Sequence, residues 1–191
     1  KKEILLRIIE IYKKNGIRDF ILLGGYKIKD LIKFSKKIKG ANITVLDTGL
    51  NTETGGRLLR AKNLIKNDTF LLTYGDSIAN FDLKRAVREK KTTNFVFSAY
   101  KHSIPYGVFQ SSKKKINKIY EKNFSVLINA GFYMLDKKIF KFIKKDKDSF
   151  ENFVIPKIIK SKKIIIKYIL TNNWYPMDTI RDKRNLEEKI R

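Results

Sequence analysis

Two aspartates stand where carboxylates could hold a metal ion. Asp76 follows the apolar run Thr69–Tyr74 and Gly75, at the carboxyl end of a segment that reads as a buried strand. That is the rim where open α/β sheets take their ligands. Asp178 lies in WYPMDT, after a strand and at a helix start. Two carboxylates meeting at one rim would hold Mg2+ through oxygen and leave its other positions to phosphates and water. Each also has an ordinary reading, a turn residue after glycine for Asp76 and a helix N-cap for Asp178. A second group is Thr52-Glu53-Thr54-Gly55-Gly56-Arg57, a glycine pair opening a helix. Glycines let backbone amides approach a ligand closely, and a helix start favours anionic or carbonyl acceptors. Arg57 adds a forked donor, although a simple turn and cap would give the same pattern. The third group is Tyr106-Gly107, Glu121-Lys122 and Asn129-Ala130-Gly131, at the ends of short extended segments. A bare glycine, a carboxylate, an ammonium and a carboxamide suit a sugar phosphate, with Glu121 and Asn129 meeting hydroxyls and Lys122 the phosphate. Glu121-Lys122 equally reads as a surface charge pair. His102 reads as an exposed loop residue, and Trp174 and Tyr175 as core packing before ligand stacking.

Composition narrows the chemistry further. The 191 residues include no Cys and one His, with 43 Lys+Arg against 19 Asp+Glu and a net charge of +24. Thiolate ligands, cysteine nucleophiles and multi-histidine metal sites are excluded. Carboxylates, lysines, backbone amides and a hard metal remain. Hydrophobic content of 42%, with 13 Phe and 9 Tyr, points to a packed core in a single domain over residues 1–191. No apolar run approaches the ~20 residues of a membrane span, and the charged start at Lys1 does not read as a signal peptide. The basic charge comes from 34 Lys and only 9 Arg, beside abundant Ile and Asn, which reads as coding bias. Scarce Arg argues against nucleic acid, since Arg is the better bidentate reader of phosphate and guanine. Lysine is absent from Gly40–Ala61, Asn67–Leu83, Asn123–Asp136 and Tyr168–Asp182, the stretches that hold most of the motif residues above.

The elements that must position these residues follow from periodicity. Ile4, Leu5, Ile8, Ile9 and Tyr12 share a helical face that Gly16 ends. Arg18–Leu23 reads as a strand, Lys27–Ile38 as a basic amphipathic helix and Asn42–Leu46 as a strand. A helix from Thr54 to Ile65 and a strand Thr69–Tyr74 follow. Asp82 caps a helix to Lys90, and Thr93–Tyr100 is a strand. After a strand-rich stretch, Asp136 and Ser149 cap helices reaching Ile143 and Ile159. Lys163–Leu170 is a strand, and a polar helix runs from Asp178 to Ile190. The order predicts an α/β fold with a mixed, mostly parallel sheet.

Taken together and in order, these segments resemble the sugar-phosphate nucleotidylyltransferases, specifically the glucose-1-phosphate cytidylyltransferases. The resemblance rests on TVLDTGLNTETGGRLLRA (Thr44–Ala61), FLLTYGDSIANFDLK (Phe70–Lys84), INAGFYML (Ile128–Leu135) and WYPMDTIRDKRNLE (Trp174–Glu187), with Lys1–Lys27 matching a long helix and strand. It implies a Rossmann-like nucleotidyltransferase domain and transfer of a cytidylyl group from CTP to glucose 1-phosphate, giving CDP-glucose and pyrophosphate. Asp76 and Asp178 match metal-binding aspartates. Thr52, Gly55, Gly56, Arg57 and Gly75 match nucleotide-binding positions. Gly107, Glu121, Lys122, Asn129 and Gly131 match the sugar-phosphate side. A Mg2+ cofactor, a cytoplasmic location, a role in surface polysaccharide synthesis and a possible homo-oligomer come with it.

Two departures qualify these expectations. The family's opening strand and GGxGTRL loop, which cradle the triphosphate, are not in this sequence, and that strand belongs in the middle of the sheet. The connection Lys27–Asn42 is also shorter than the family's, in a region linked to oligomer assembly. The sequence is expected to be a fragment of a longer enzyme, a degenerate relative, or a domain completed by another strand, with impaired turnover. The rival from another class is a non-catalytic, basic polyanion- or RNA-binding module.

Overall fold

The amino-terminal helix α1 (Ile4–Lys14) turns Ile8, Ile9 and Tyr12 inward, and Gly16, at φ +85°, takes the left-handed turn beyond its end. The computed structural model describes residues 3–122 and 124–189; Lys1, Lys2, Asn123, Ile190 and Arg191 lie outside them. Strand β1 (Asp19–Gly24) pairs in parallel with β2 (Asn42–Asp47), joined by α2 (Ile28–Ser35) as the crossover such a pair requires. Then come α3 (Thr54–Arg60), β3 (Thr69–Thr73) and the three-residue β4 (Ser77–Ala79). Helix α4 (Leu83–Lys90) starts at Asp82, whose carboxylate accepts the Arg85 N–H. Strand β5 (Phe95–Ile104) leads to the hairpin of β6 (Val108–Ser112) and β7 (Lys115–Tyr120), and then to the long β8 (Phe124–Asp136). Asp136 and Ser149 cap a 3-10 turn (Lys137–Lys141) and a π-helical turn (Phe150–Val154) that continues as α5 (Ile155–Ser161). Strands β9 (Ile166–Thr171) and β10 (Trp174–Pro176) and helix α6 (Ile180–Lys189) complete the described chain.

The larger sheet has the order β3-β8-β5-β9. Strand β8 runs antiparallel to both its neighbours while β9 is parallel to β5, so three strands share one direction and β8 alone is reversed. The sheet is mixed as expected, but with two of its three ladders antiparallel it is not mostly parallel in its pairing, because β8 lies between β3 and β5. Residues alternate across the sheet. Ala130, Phe132 and Met134 of β8 join Ile8, Tyr12, Val96 and Ile169 in a core on one face. Tyr133 and Leu135 join Leu58, Phe95, Ile139 and Phe150 on the other.

The sheet comes in two hydrogen-bonded pieces. Strands β1 and β2 form a pair of their own, and β3 is the outer strand of the four-stranded sheet. Helices on opposite faces tie the pieces together. On one face, the Tyr12 ring of α1 meets Phe20 of β1 and Phe132 of β8, which lies opposite Thr73 of β3. On the other, α3 sends Leu58 into the core beside Phe70 and Leu72 of β3, while its Arg57 Nη1 donates to the Gly24 carbonyl of β1 at 3.0 Å. Strands β1 and β3 are thus held under common helices without a ladder between them.

Candidate active site

Strands β4 and β10 are antiparallel, with Pro176 opposite Ser77. That register sets Met177 against Asp76, and the Met177 N–H donates to the Asp76 carbonyl at 2.8 Å. Asp76, just before β4, and Asp178, two residues after Pro176, therefore face one cleft of about 170 Å3. Its walls are Tyr74, Asp76, Ser77, Asn129, Ala130, Gly131, Trp174, Pro176 and Asp178. Both aspartates are exposed, and among the described residues neither side chain has a hydrogen bond or ion pair.

The N-cap reading of Asp178 fails on geometry. Thr179 and Asp182 cap α6 reciprocally: Asp182 Oδ2 accepts from the Thr179 N–H at 2.9 Å and Thr179 Oγ1 from the Asp182 N–H at 3.1 Å. Asp178 is left to the cleft. Trp174 packs against the core as expected, yet it also forms part of the cleft wall.

Backbone irregularity shapes the opposite wall. In the β5–β8 ladder, Phe97 opposes Tyr133 and Ala99 opposes Asn129, so Ser98 alone faces three residues, Ala130–Phe132. Ser98 Oγ closes this bulge by accepting the Phe132 N–H at 3.0 Å. Gly131 lies at its centre at φ +79°, where a Cβ would fall 2.8 Å from the Tyr74 ring. A bulge of this kind re-aims the neighbouring side chain, here Asn129.

The structure gathers Asp76, Asp178, Asn129 and Gly131 around the cleft, with Gly75 beside Asp76. It does not bring the other expected residues there. Gly55 and Gly56 are buried against the segment Asp146–Asp148: a Cβ on Gly55 would fall 2.5 Å from the Asp148 carbonyl oxygen, and one on Gly56 2.2 Å from that of Asp146. The Gly56 N–H already donates to the Asp148 carbonyl at 3.2 Å. Arg57 is tied to Gly24 and to the buried Thr48 hydroxyl, and Thr52 is buried. Gly107 and Glu121 lie together at the root of the β6–β7 hairpin, with a Cβ on Gly107 3.3 Å from Glu121 Oε2, and Lys122 is exposed at φ +58°. Thr54 does not cap α3; its hydroxyl donates to Glu151 and accepts the Phe150 N–H. Helix α3 also stops at Arg60, short of Ile65. Arg60 instead grips Asp146 bidentately, at 3.0 and 2.6 Å, which holds the Asp146 carboxyl below its usual range.

The glycines therefore separate by experiment. Gly56→Ala must displace main chain and lowers stability by about 2–3 kcal/mol, in the upper range for overpacking. Gly75, which has nothing within 4 Å of a would-be Cβ, accepts Ala with a change of no more than about 0.5 kcal/mol. Urea unfolding of the two variants compares them directly.

Ser77 and Pro176 were not legible as cleft walls because β4 and β10, at three residues each, are too short to show a period, and Tyr74 read only as the end of the strand Thr69–Tyr74. Tyr133 was not legible either, since its neighbours read only as a buried strand.

The family model described as nucleotidyl transferase matches residues 1–187. The glucose-1-phosphate cytidylyltransferase of Salmonella typhi is 29% identical, covering 97% of this chain and 83% of that protein. That alignment runs over 218 positions, more than this chain has, so the relative carries residues between matched blocks that are missing here. A Bacillus subtilis protein named "Probable glucose-1-phosphate cytidylyltransferase" is 30% identical, over 95% of this chain and 81% of its own length. Among solved structures, HddC from Yersinia pseudotuberculosis superposes with a TM-score of 0.78 at 23% identity, covering 98% of this chain and 85% of that one. At that identity the likeness speaks for the fold.

Proposed function

Because the chain belongs to the nucleotidyl transferase family, we propose that its cleft serves transfer of a cytidylyl group from CTP to glucose 1-phosphate. The observation that carries this reading is the convergence of two unpartnered carboxylates, Asp76 and Asp178, on the cleft that also holds Asn129. The choice of CTP and glucose 1-phosphate rests on the two cytidylyltransferase-named relatives.

The donor set suits Mg2+, since both side chains offer hard carboxylate oxygens to one cleft. Mg2+ takes one or two carboxylates and fills its shell with water and phosphate oxygens. Bound by Asp76 and Asp178, it would neutralise charge on the phosphates.

The chemistry asks little else of the protein. An oxygen of the sugar phosphate attacks the α-phosphorus of CTP in line; that P–O bond forms as the bond to the β-phosphate breaks, and pyrophosphate leaves. The attacking phosphate is already ionised, so neither a protein nucleophile nor a general base is needed. Positioning and electrostatic stabilisation suffice, and a chain with no Cys and one His can supply both. The product would feed surface polysaccharide synthesis from the cytoplasm, where the nucleotide is. Among the described residues no helix is long and apolar enough to cross a membrane.

The test is pyrophosphate release with Mg2+ and glucose 1-phosphate, offering CTP, UTP, GTP and dTTP in turn. CTP is expected to be preferred. Preference for another nucleotide would overturn the base assignment.

A further inference from the structure

Asn129 is exposed in the cleft, yet both ends of its carboxamide are held from behind. The Gly131 N–H donates to Oδ1 at 3.1 Å, and Nδ2 donates to the Tyr133 hydroxyl at 2.6 Å. A backbone N–H cannot accept, so the contact with Gly131 decides which end of the amide is oxygen. The Tyr133 hydroxyl passes its own proton toward the Tyr74 hydroxyl at 3.2 Å. Tyr74 is locked in turn: its N–H donates to the Gly131 carbonyl at 3.2 Å, and its ring meets Tyr133 edge-on at 5.8 Å. Tyr74 also stands two residues before Asp76, so one network joins the carboxylate side of the cleft to the carboxamide side.

The Tyr133 hydroxyl does not serve the ring's packing. The ring is fully buried and meets Phe97 and Phe150 edge-on at 4.9 and 5.3 Å, contacts that a phenylalanine would keep. Burial pushes the phenol up to about 12, with the Asn129 hydrogen bond partly opposing, so it stays a neutral donor and acceptor throughout the working pH range. Asn129, being exposed, could have been left to water. A fixed hydroxyl behind an exposed amide instead removes the freedom of that amide to turn over.

With one valence used at each end, Asn129 still offers one N–H and one oxygen lone pair to the cleft, side by side. That edge matches neighbouring hydroxyls, each of which donates and accepts. We propose that Tyr133, backed by Tyr74, is a positioning residue that fixes the Asn129 carboxamide as a donor–acceptor pair for the hydroxyls of the sugar phosphate. The assignment rests on the reading of the cleft as a sugar-phosphate nucleotidylyl-transfer site. Tyr133 need not touch the substrate; it acts through Asn129.

The test uses the full chain and two readouts. Calorimetric titration of Tyr133→Phe with glucose 1-phosphate is expected to show about a tenfold loss of affinity, the size of one well-placed hydrogen bond, with CTP affinity within twofold of wild type. Asn129→Ala should lose as much, and the double variant no more than Asn129→Ala alone, because the tyrosine works through the amide. Unchanged glucose 1-phosphate affinity in Tyr133→Phe, or additive losses in the double variant, would overturn the proposal. The second readout is the Asn129 side-chain amide pair by 15N NMR, expected to shift and broaden in Tyr133→Phe and in Tyr74→Phe. If wild type binds no glucose 1-phosphate, the functional reading falls, and an unmoved Asn129 signal in Tyr133→Phe then overturns the positional claim by itself.

Discussion

With Mg2+ present, CTP at a hundredfold excess over its dissociation constant should stabilise the chain by about 2.7 kcal/mol, and Asp76→Ala should abolish the gain. For a chain of this size that gain is a rise of about 5–10 °C in the melting midpoint. The expectation follows from two features of Asp76. It is exposed and has no side-chain partner among the described residues, so losing its carboxylate should change the unliganded stability by less than about 0.5 kcal/mol. It is also one of the two carboxylates that line the cleft among the described residues, so a metal–triphosphate complex would lose half of the charged protein ligands that hold it there. Asp178→Ala should behave alike, and the double variant no worse than either single one, because both act through one ion. Chelating the metal should reproduce the variants in the wild-type chain. A full CTP shift in Asp76→Ala would remove the metal role from Asp76. No shift in the wild type at any CTP concentration would remove the nucleotide from the cleft.

What the sequence made legible was chemistry set by local rules. Asp82, Asp136 and Ser149 are caps as expected, because a short polar side chain at such a start satisfies orphan N–H groups whatever the tertiary context. Asp136, however, heads a 3-10 turn ending at Lys141 and not a helix to Ile143. Asp76 and Asp178 were placed at the cleft by the run before one and the motif around the other. The glycine pair shows where local reading stops. Gly55-Gly56 at a helix start looks the same in sequence whether its open side admits a phosphate or another stretch of main chain. Here that stretch is Asp146–Asp148, about ninety residues further on, and no local pattern announces it. Arg57 misled for a related reason: a forked donor suits a phosphate, but it also suits the last carbonyl of β1 and the Thr48 hydroxyl. Tyr133 was hidden because a buried aromatic in a strand needs no hydroxyl, and only the three-dimensional neighbourhood shows what the hydroxyl holds.

The divided sheet gives the largest stability effect, at Tyr12. Strands β1 and β3 share no ladder, so on the α1 face the two pieces are joined by side-chain packing in which the Tyr12 ring, 6.4 Å from both Phe20 and Phe132, stands between them. Tyr12→Ala should lower stability by about 3–5 kcal/mol, the range for a large buried aromatic, and the loss should be uneven. Amides of the β1–β2 pair should lose most of their hydrogen-exchange protection, while those of β5 and β8, paired along most of their length, keep theirs. Tyr12→Phe separates the ring from its hydroxyl. Burial pushes the Tyr12 phenol up, with Thr73 only partly opposing, and among the described residues no hydrogen bond of ordinary geometry reaches its oxygen. Removing that oxygen should leave stability unchanged or raise it by about 1 kcal/mol, since an unpaired buried hydroxyl is a net burden. Equal loss of protection in β1 and β5 on Tyr12→Ala would mean that the two pieces open as one cooperative unit, with the Arg57–Gly24 tie on the opposite face coupling them more strongly than the α1 side does.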